Sequence, residues 1–341
     1  MPIGWAIVST GRHPDAKMAP AINAAEGSAI AAVVSRDRER AAAFAEKHKA
    51  ARAYDNMEDM LRDAAVEVVY VASPNALHKE QVLQAAAAGK HVLVEKPMAL
   101  TVADCQAMVD ACSAAGVQLG VGFHLRSHPG HQRLRDLVRD GKLGAVSYAE
   151  ANWGRGTRGQ VSPPPRPAQQ AWWGDPKLAG AGAFMATGVH CADTLRFVLG
   201  REAVEVHALT DATPEQPLEE MLTLAMRMDD GSLATVLTGR RTPDYERNDV
   251  VVYGSEGRGG VHGSMDTTRT GSLAVRTAAT AEDQSYDQDP IALYTLQVDA
   301  FNTAVTNGTR PLATGLDGLR VAQITVAMVE SSQTGRRVRL E

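Results

Sequence analysis

The 341-residue sequence predicts an α/β protein in which a parallel, doubly wound sheet is followed by an α/β domain with a mostly antiparallel sheet. Three observations carry this. Short apolar runs alternate with helical patterns through residue 122. From residue 203 to 277, strand-like runs follow one another without intervening helices. A strand, a glycine-containing turn and a helix open the chain, the order in which a dinucleotide-binding unit begins.

The runs 4–9, 29–34, 66–72, 90–94 and 118–122 are apolar without alternation, as strands buried on both faces must be. Helical patterns at 14–25, 38–49, 57–62, 78–88 and 102–115 separate them, and crossovers of that length join parallel neighbours. The pattern then changes. A helix at 129–140 ends at Gly141, and a strand follows at 146–153. A Gly- and Pro-rich loop at 154–167 contains Pro163-Pro164-Pro165, and loops of that length in a domain are functional or mobile segments. After a helix at 182–199 come strands at 203–211, 221–228, 233–238, 249–253, 260–262 and 273–277, with Asp229-Asp230-Gly231 as one of the turns. Helices at 291–307 and 315–333 finish the chain, the last capped by Thr314. The division expected is a dinucleotide-binding domain at 1–124 and an α/β domain with the antiparallel sheet at 125–341.

With 35 Lys and Arg against 40 Asp and Glu, the net charge of −5 argues against a nucleic-acid partner, which needs a basic surface. No apolar stretch is long enough for a membrane span, and the opening MPIGWAIVSTGRHP lacks the pattern of a signal peptide. Cys105, Cys112 and Cys191 have no paired spacing and suit a reducing compartment, so a cytoplasmic location without metal is expected.

The opening turn departs from G-x-G-x-x-G. Ser9 stands at the first glycine position, Gly11 at the second and Pro14 at the third, with Thr10 and Arg12 between them. Gly11 is the position where backbone must approach a pyrophosphate closely. At the end of the second strand, where a carboxylate would bind the ribose of NAD, the chain has Ser35-Arg36, with Arg40 a turn further on. A hydroxyl and guanidinium groups suit a 2′-phosphate, so NADP(H) is the preferred cofactor, and Asp37 leaves NAD(H) open.

Two longer motifs carry a family resemblance. Val71-Ala72-Ser73-Pro74-Asn75-Ala76-Leu77-His78 follows a buried strand, and Gly89-Lys90-His91-Val92-Leu93-Val94-Glu95-Lys96-Pro97 comes some way after it. With Gly254-Ser255-Glu256-Gly257 and Thr314-Gly315-Leu316-Asp317-Gly318, the sequence resembles the Gfo/Idh/MocA family along nearly its whole length. The stretches Phe123-His124-Leu125-Arg126, Leu134-Arg135-Asp136 and 189–199 look most like 1,5-anhydro-D-fructose reductases of that family. The resemblance implies a Rossmann domain followed by an open, mostly antiparallel sheet that packs on a partner subunit, as a dimer or tetramer. It implies an NAD(P)-dependent oxidoreductase acting on the CH–OH group of a sugar, polyol or related cyclic hydroxy or keto compound. Cofactor contacts are then expected from Ser73, Pro74, Asn75, His78, Glu95, Lys96, Trp172, Trp173 and Tyr294, beside the turn residues above. Substrate contacts are expected from Lys96, His124, Arg126, Trp173, His190 and Asp193, with Lys96 and His190 catalytic and the Lys96–Pro97 bond cis.

Chemistry independently favours Lys96. The cofactor carries hydride, so the protein must manage a proton on the substrate oxygen. A partly desolvated amine beside a cationic ring gives up its proton more readily and can serve that oxygen. Three departures from the family bear on substrate. Ala186 stands where an Asp is usual, one turn before His190; Trp173 stands in place of an Arg; and Gly122 replaces a polar residue. Asp193 lies three residues after His190, near enough to orient it. These changes keep two alternatives open: a dehydrogenase of a non-sugar alcohol such as a dihydrodiol or hemiacetal, or a catalytically impaired NADP(H)-binding protein.

Overall fold

In the computed structural model, which describes residues 2–156, 168–241 and 248–340, the five early apolar runs and one further short strand pair as six parallel strands. They are β1 (Ile3–Val8), β2 (Ser28–Val34), β3 (Arg52–Tyr54), β4 (Val68–Val71), β5 (His91–Val94) and β6 (Leu119–Val121), in the order β3-β2-β1-β4-β5-β6. This is the doubly wound order whose direction reverses beside β1, placing ligand sites at the carboxyl ends of β1 and β4. The connecting helices are α1 (Ala19–Ala24), α2 (Arg38–His48), α3 (Met57–Leu61), α4 (His78–Ala87) and α5 (Val102–Ala114). A π-helical turn, Pro14–Met18, leads directly into α1. Asp37, Asn56 and Thr101 cap α2, α3 and α5 by accepting a backbone N–H, each satisfying an otherwise orphaned donor.

The chain divides into two units, Met1–His124 with Pro290–Leu319, and Leu125–Asp289 with Arg320–Glu341. The return of Pro290–Leu319 to the first unit differs from an undivided second domain at 125–341. The helix α9 (Ala292–Asn307) supplies the reason. Its Tyr294, Val298 and Phe301 join the core of Trp5, Ile7, Ile22 and Leu93. Asn302 accepts from the Trp5 indole N–H at 3.1 Å, and Phe301 packs on the Trp5 ring at 5.7 Å. A Cβ on Gly120 would lie 2.7 Å from Phe301, so glycine is what allows the helix this close. Each large apolar side chain so buried contributes roughly 1.5–3 kcal/mol.

The second unit is built on nine strands. They are β7 (Val146–Gly154), β8 (Ala203–Thr210), β9 (Met221–Met228), β10 (Leu233–Gly239), β11 (Val250–Gly254), β12 (Gly257–His262), β13 (Ser272–Thr277), β14 (Ala281–Ser285) and β15 (Val338–Arg339). The order is β14-β13-β12-β11-β7-β10-β9-β8-β15, antiparallel except for the parallel pair β7–β10. β7 alternates, with Ala149, Ala151 and Trp153 buried and Tyr148, Glu150 and Asn152 half-buried. Its helices are α6 (Pro129–Arg139), α7 (Pro176–Ala179), α8 (Val189–Leu199) and most of α10 (Gly315–Thr334), with α8 packed on α6 and β7. Thr314 and Asp317 bond each other across the start of α10, as the expected cap requires. The other sheet face stays open and carries Leu209, Leu233 and Leu237, all exposed.

Candidate functional site in the two units

The chain leaves β1 through a turn that serine makes with difficulty. Ser9 has φ 115°, a left-handed backbone value that favours glycine. Its hydroxyl oxygen accepts the Gly11 N–H at 3.2 Å. Thr10 accepts from Arg40 at 3.3 Å, drawing the start of α2 toward the turn, while Arg12 is exposed. Ser9 and Thr10 line a cleft of about 350 Å³ with Ser35, Arg36, Arg40, Ser73 and Pro74. Both arginines are exposed. Asp37 borders the same cleft, but its carboxylate accepts the Arg40 backbone N–H at 3.0 Å as the cap of α2. Hydroxyls, guanidinium groups and a cradle of turn backbone fit a dinucleotide phosphate, so these residues are chemically suited to hold one.

Beyond β4, Ser73 donates its hydroxyl to Gln81 at 2.6 Å. Asn75 and His78 are both buried. The two His78 ring nitrogens lie 3.0 Å from the Pro97 carbonyl and 2.8 Å from the Ser73 carbonyl. Burial lowers the imidazole pKa against the pull of those carbonyls. The ring spans the Ser73 and Pro97 carbonyls and so braces the two family motifs against each other.

Glu95 ends β5 and is the electrostatic centre of the first unit. The Tyr70 hydroxyl donates to Oε1 at 2.7 Å, the Lys96 backbone N–H donates to Oε2 at 3.2 Å, and His13 Nε2 lies 3.3 Å from Oε1. Burial would push this carboxyl up, but His13, Lys96 and the Tyr70 hydroxyl outweigh it and bring the pKa to about 2. A Cβ on Gly122 would sit 2.6 Å from Oε1, so the missing polar side chain there is the room the carboxylate occupies. Glu95 thus faces protein donors. Lys96 beside it is half-buried, and the Lys96–Pro97 bond is cis as the resemblance implied. His124 is 2 % exposed and stacks on Tyr294 at 4.7 Å, and Tyr294 is itself buried, with the His13 ring edge 5.3 Å from it. His124 and Tyr294 therefore pack against this cluster.

In the second unit, His190 lies in the first turn of α8 and is buried, its ring tilted on Trp153 at 5.2 Å. Ala186, one turn earlier, lies in a π-helical turn, Phe184–Gly188. Glu219 fixes the entry to that turn, accepting Gly182 N–H at 2.7 Å and Phe184 N–H at 2.8 Å. Burial raises its pKa against the opposing effect of those N–H groups. Arg126 and Asp193 form a two-pronged pair at 2.8 and 2.7 Å, 6 % and 1 % exposed. Trp172 and Trp173 stack on each other at 4.5 Å and are half-buried. Most of the loop 154–167 lies outside the described residues. Sequence reasoning missed His13 and Tyr70; the one signal was a hydroxyl in the otherwise aliphatic β4.

Comparison with known proteins agrees with this construction. The oxidoreductase family model with an NAD-binding Rossmann fold matches residues 3–123, and the Gfo/Idh/MocA C-terminal domain matches residues 131–259. The chain therefore belongs to the Gfo/Idh/MocA family and is an oxidoreductase. It is 32 % identical to a 1,5-anhydro-D-fructose reductase of Ensifer adhaerens over 93 % of this chain and 92 % of that protein. It is 31 % identical to an NADP(+) D-xylose 1-dehydrogenase of Haloferax volcanii over 94 % of this chain and 95 % of that one. The aldose-aldose oxidoreductase of Caulobacter crescentus, solved with glycerol, superposes with a TM-score of 0.87 at 27 % identity, covering all of both chains. Among the described residues, no helix is long and apolar enough to cross a membrane, and no group of three or more His, Cys, Asp or Glu could hold a metal ion.

Proposed function

We propose that this chain is an NADP(H)-dependent oxidoreductase of a sugar, polyol or related cyclic hydroxy or keto compound. The observation that carries the reading is the cleft at the ends of β1 and β2. It presents Arg36, Arg40 and the Ser35 hydroxyl, while its one acidic neighbour, Asp37, is engaged as a helix cap. Such a surface favours a 2′-phosphate over a bare ribose hydroxyl. A dinucleotide bound there supplies the hydride acceptor or donor.

Lys96 takes the proton from the substrate hydroxyl during oxidation and returns one to the carbonyl oxygen during reduction. Glu95 accepts the Lys96 backbone N–H and so fixes the backbone from which the amine extends. Within the second unit, His190 is the residue we assign to substrate contact. Sugar or polyol is favoured because relatives that match almost end to end are named for anhydrofructose and xylose. A second reading, a cyclic non-sugar alcohol, draws support from the half-buried, stacked Trp172 and Trp173, which offer a flat apolar surface. Three unpaired, buried cysteines favour a reducing compartment such as the cytoplasm. The exposed leucines on the open sheet favour a homo-oligomer.

The test is turnover of a sugar, polyol and cyclic-diol panel with NADP(+) and NAD(+), followed by dinucleotide absorbance. Turnover with NADP(+) on at least one polyhydroxylated compound, lost on the order of 10²–10⁴-fold in Lys96→Met, is the expected result. Full activity in Lys96→Met removes the assigned proton role. Turnover of cyclic diols alone selects the second reading.

A further inference from the structure

We propose that His13 is a positioning residue for Lys96, joining the phosphate-side turn to the Glu95 carboxylate and thereby setting the place and charge of the neighbouring amine. The inference rests on the reading of Lys96 given above. His13 immediately precedes the π-helical turn Pro14–Met18, and so belongs to the same segment as Ser9 and Gly11. Its Nε2 is buried against Glu95 Oε1 at 3.3 Å, although the ring as a whole is only half-buried. The tie therefore runs from the rim of the cofactor cleft into the unit.

The carboxylate has two oxygens and several claimants. Tyr70 from β4 and His13 share Oε1, and the Lys96 backbone takes Oε2. The Lys96 charge also acts on it, His78 feels it from α4, and Tyr294 from α9 faces the Tyr70 hydroxyl. Gly122 at the end of β6 leaves the space in which this meeting occurs. Because the anion is shared, its contacts with His13 and with Lys96 are coupled. Removing His13 leaves more of the negative charge to act on the Lys96 ammonium, which then holds its proton more tightly. Removing the carboxylate does the opposite. A phosphate pressing on the Ser9–Gly11 turn is in this way felt at the amine.

The experiment uses the full chain without substrate or dinucleotide. Lys96 is acylated with acetic anhydride over a range of pH, its labelling rate is read by mass spectrometry, and the exposed Lys49 serves as internal reference. At about pH 8, His13→Leu should label Lys96 at least about threefold more slowly than the parent. His13→Gln, whose amide is a neutral donor within reach of Glu95, should lie between them, and Glu95→Gln should label faster. Kinetics on a substrate found above should show kcat down about tenfold in His13→Leu with the sugar KM within about twofold. Labelling unchanged in His13→Leu overturns the proposal. So does an equal drop in both His13 variants accompanied by a lower Tm, which would mark a merely structural role. Should His13→Leu not fold, His13→Gln against the parent carries the comparison. Labelling as expected in a protein that turns over nothing would sink the oxidoreductase chemistry and leave the tie standing; activity with unchanged labelling would sink the tie alone.

Discussion

Glu95 and Glu219 are the same side chain at similar depth, one in each unit, and their acidities move in opposite directions. Glu95 is drawn to about 2 because His13, Lys96 and the Tyr70 hydroxyl outweigh its burial. Glu219 is pushed above its usual value because burial outweighs the backbone N–H groups of Phe184 and Gly182. Two short hydrogen bonds from neutral amides hold a carboxylate in place without keeping it ionised as strongly as a neighbouring cation does. The contrast separates an anion that works on charges around it from one that fixes a backbone. Glu95 lies next to the amine assigned to chemistry; Glu219 clamps the entry to the helical turn that leads to His190.

The comparison can be broken most strongly at Glu95. Glu95→Gln leaves the shape and removes the charge, and kcat should fall on the order of a hundredfold in steady-state assays with the fold retained by circular dichroism. Gly122→Ala tests the same carboxylate by crowding it. A Cβ would meet Oε1 at 2.6 Å, and relieving that overlap should cost about 1–3 kcal/mol in urea unfolding. The smallest effect is expected at Glu219→Gln, about 1 kcal/mol, since one new amide N–H then faces a backbone N–H.

The pH dependence of the two Gln variants sharpens the contrast further. A carboxyl with a lowered pKa lends stability that is present above its unfolded value and lost as pH falls toward about 2, so the gap between parent and Glu95→Gln should narrow in acid. A carboxyl with a raised pKa lends stability that is present below its unfolded value and lost as pH rises through the folded one. The gap between parent and Glu219→Gln should therefore narrow toward neutrality. Parallel slopes in the two urea series would erase the distinction.

What the sequence disclosed follows the range of the interactions involved. β1, β2, β4 and β5 are legible because strands buried on both faces leave unbroken apolar runs. β3, β14 and β15 escape notice because they are short or polar strands at or near sheet edges, where pairing is set by a neighbour. Ser9, Gly11, Ser35, Arg36 and Lys96 are legible because each belongs to a local strand-end motif. The Arg126–Asp193 pairing was not legible because partners 67 residues apart leave no trace in spacing. His13 was missed for the same reason, since its partner lies on a distant strand and the space for both is the absence of a side chain at Gly122.

Asp37 has a practical consequence for anyone redesigning coenzyme choice. Its carboxylate is already committed to the first turn of α2, so placing more acid at that position, or deleting it, would disturb a helix start before it altered discrimination. Exchange of one dinucleotide for the other should instead be sought one residue upstream, at Arg36, whose exposed side chain borders the cleft.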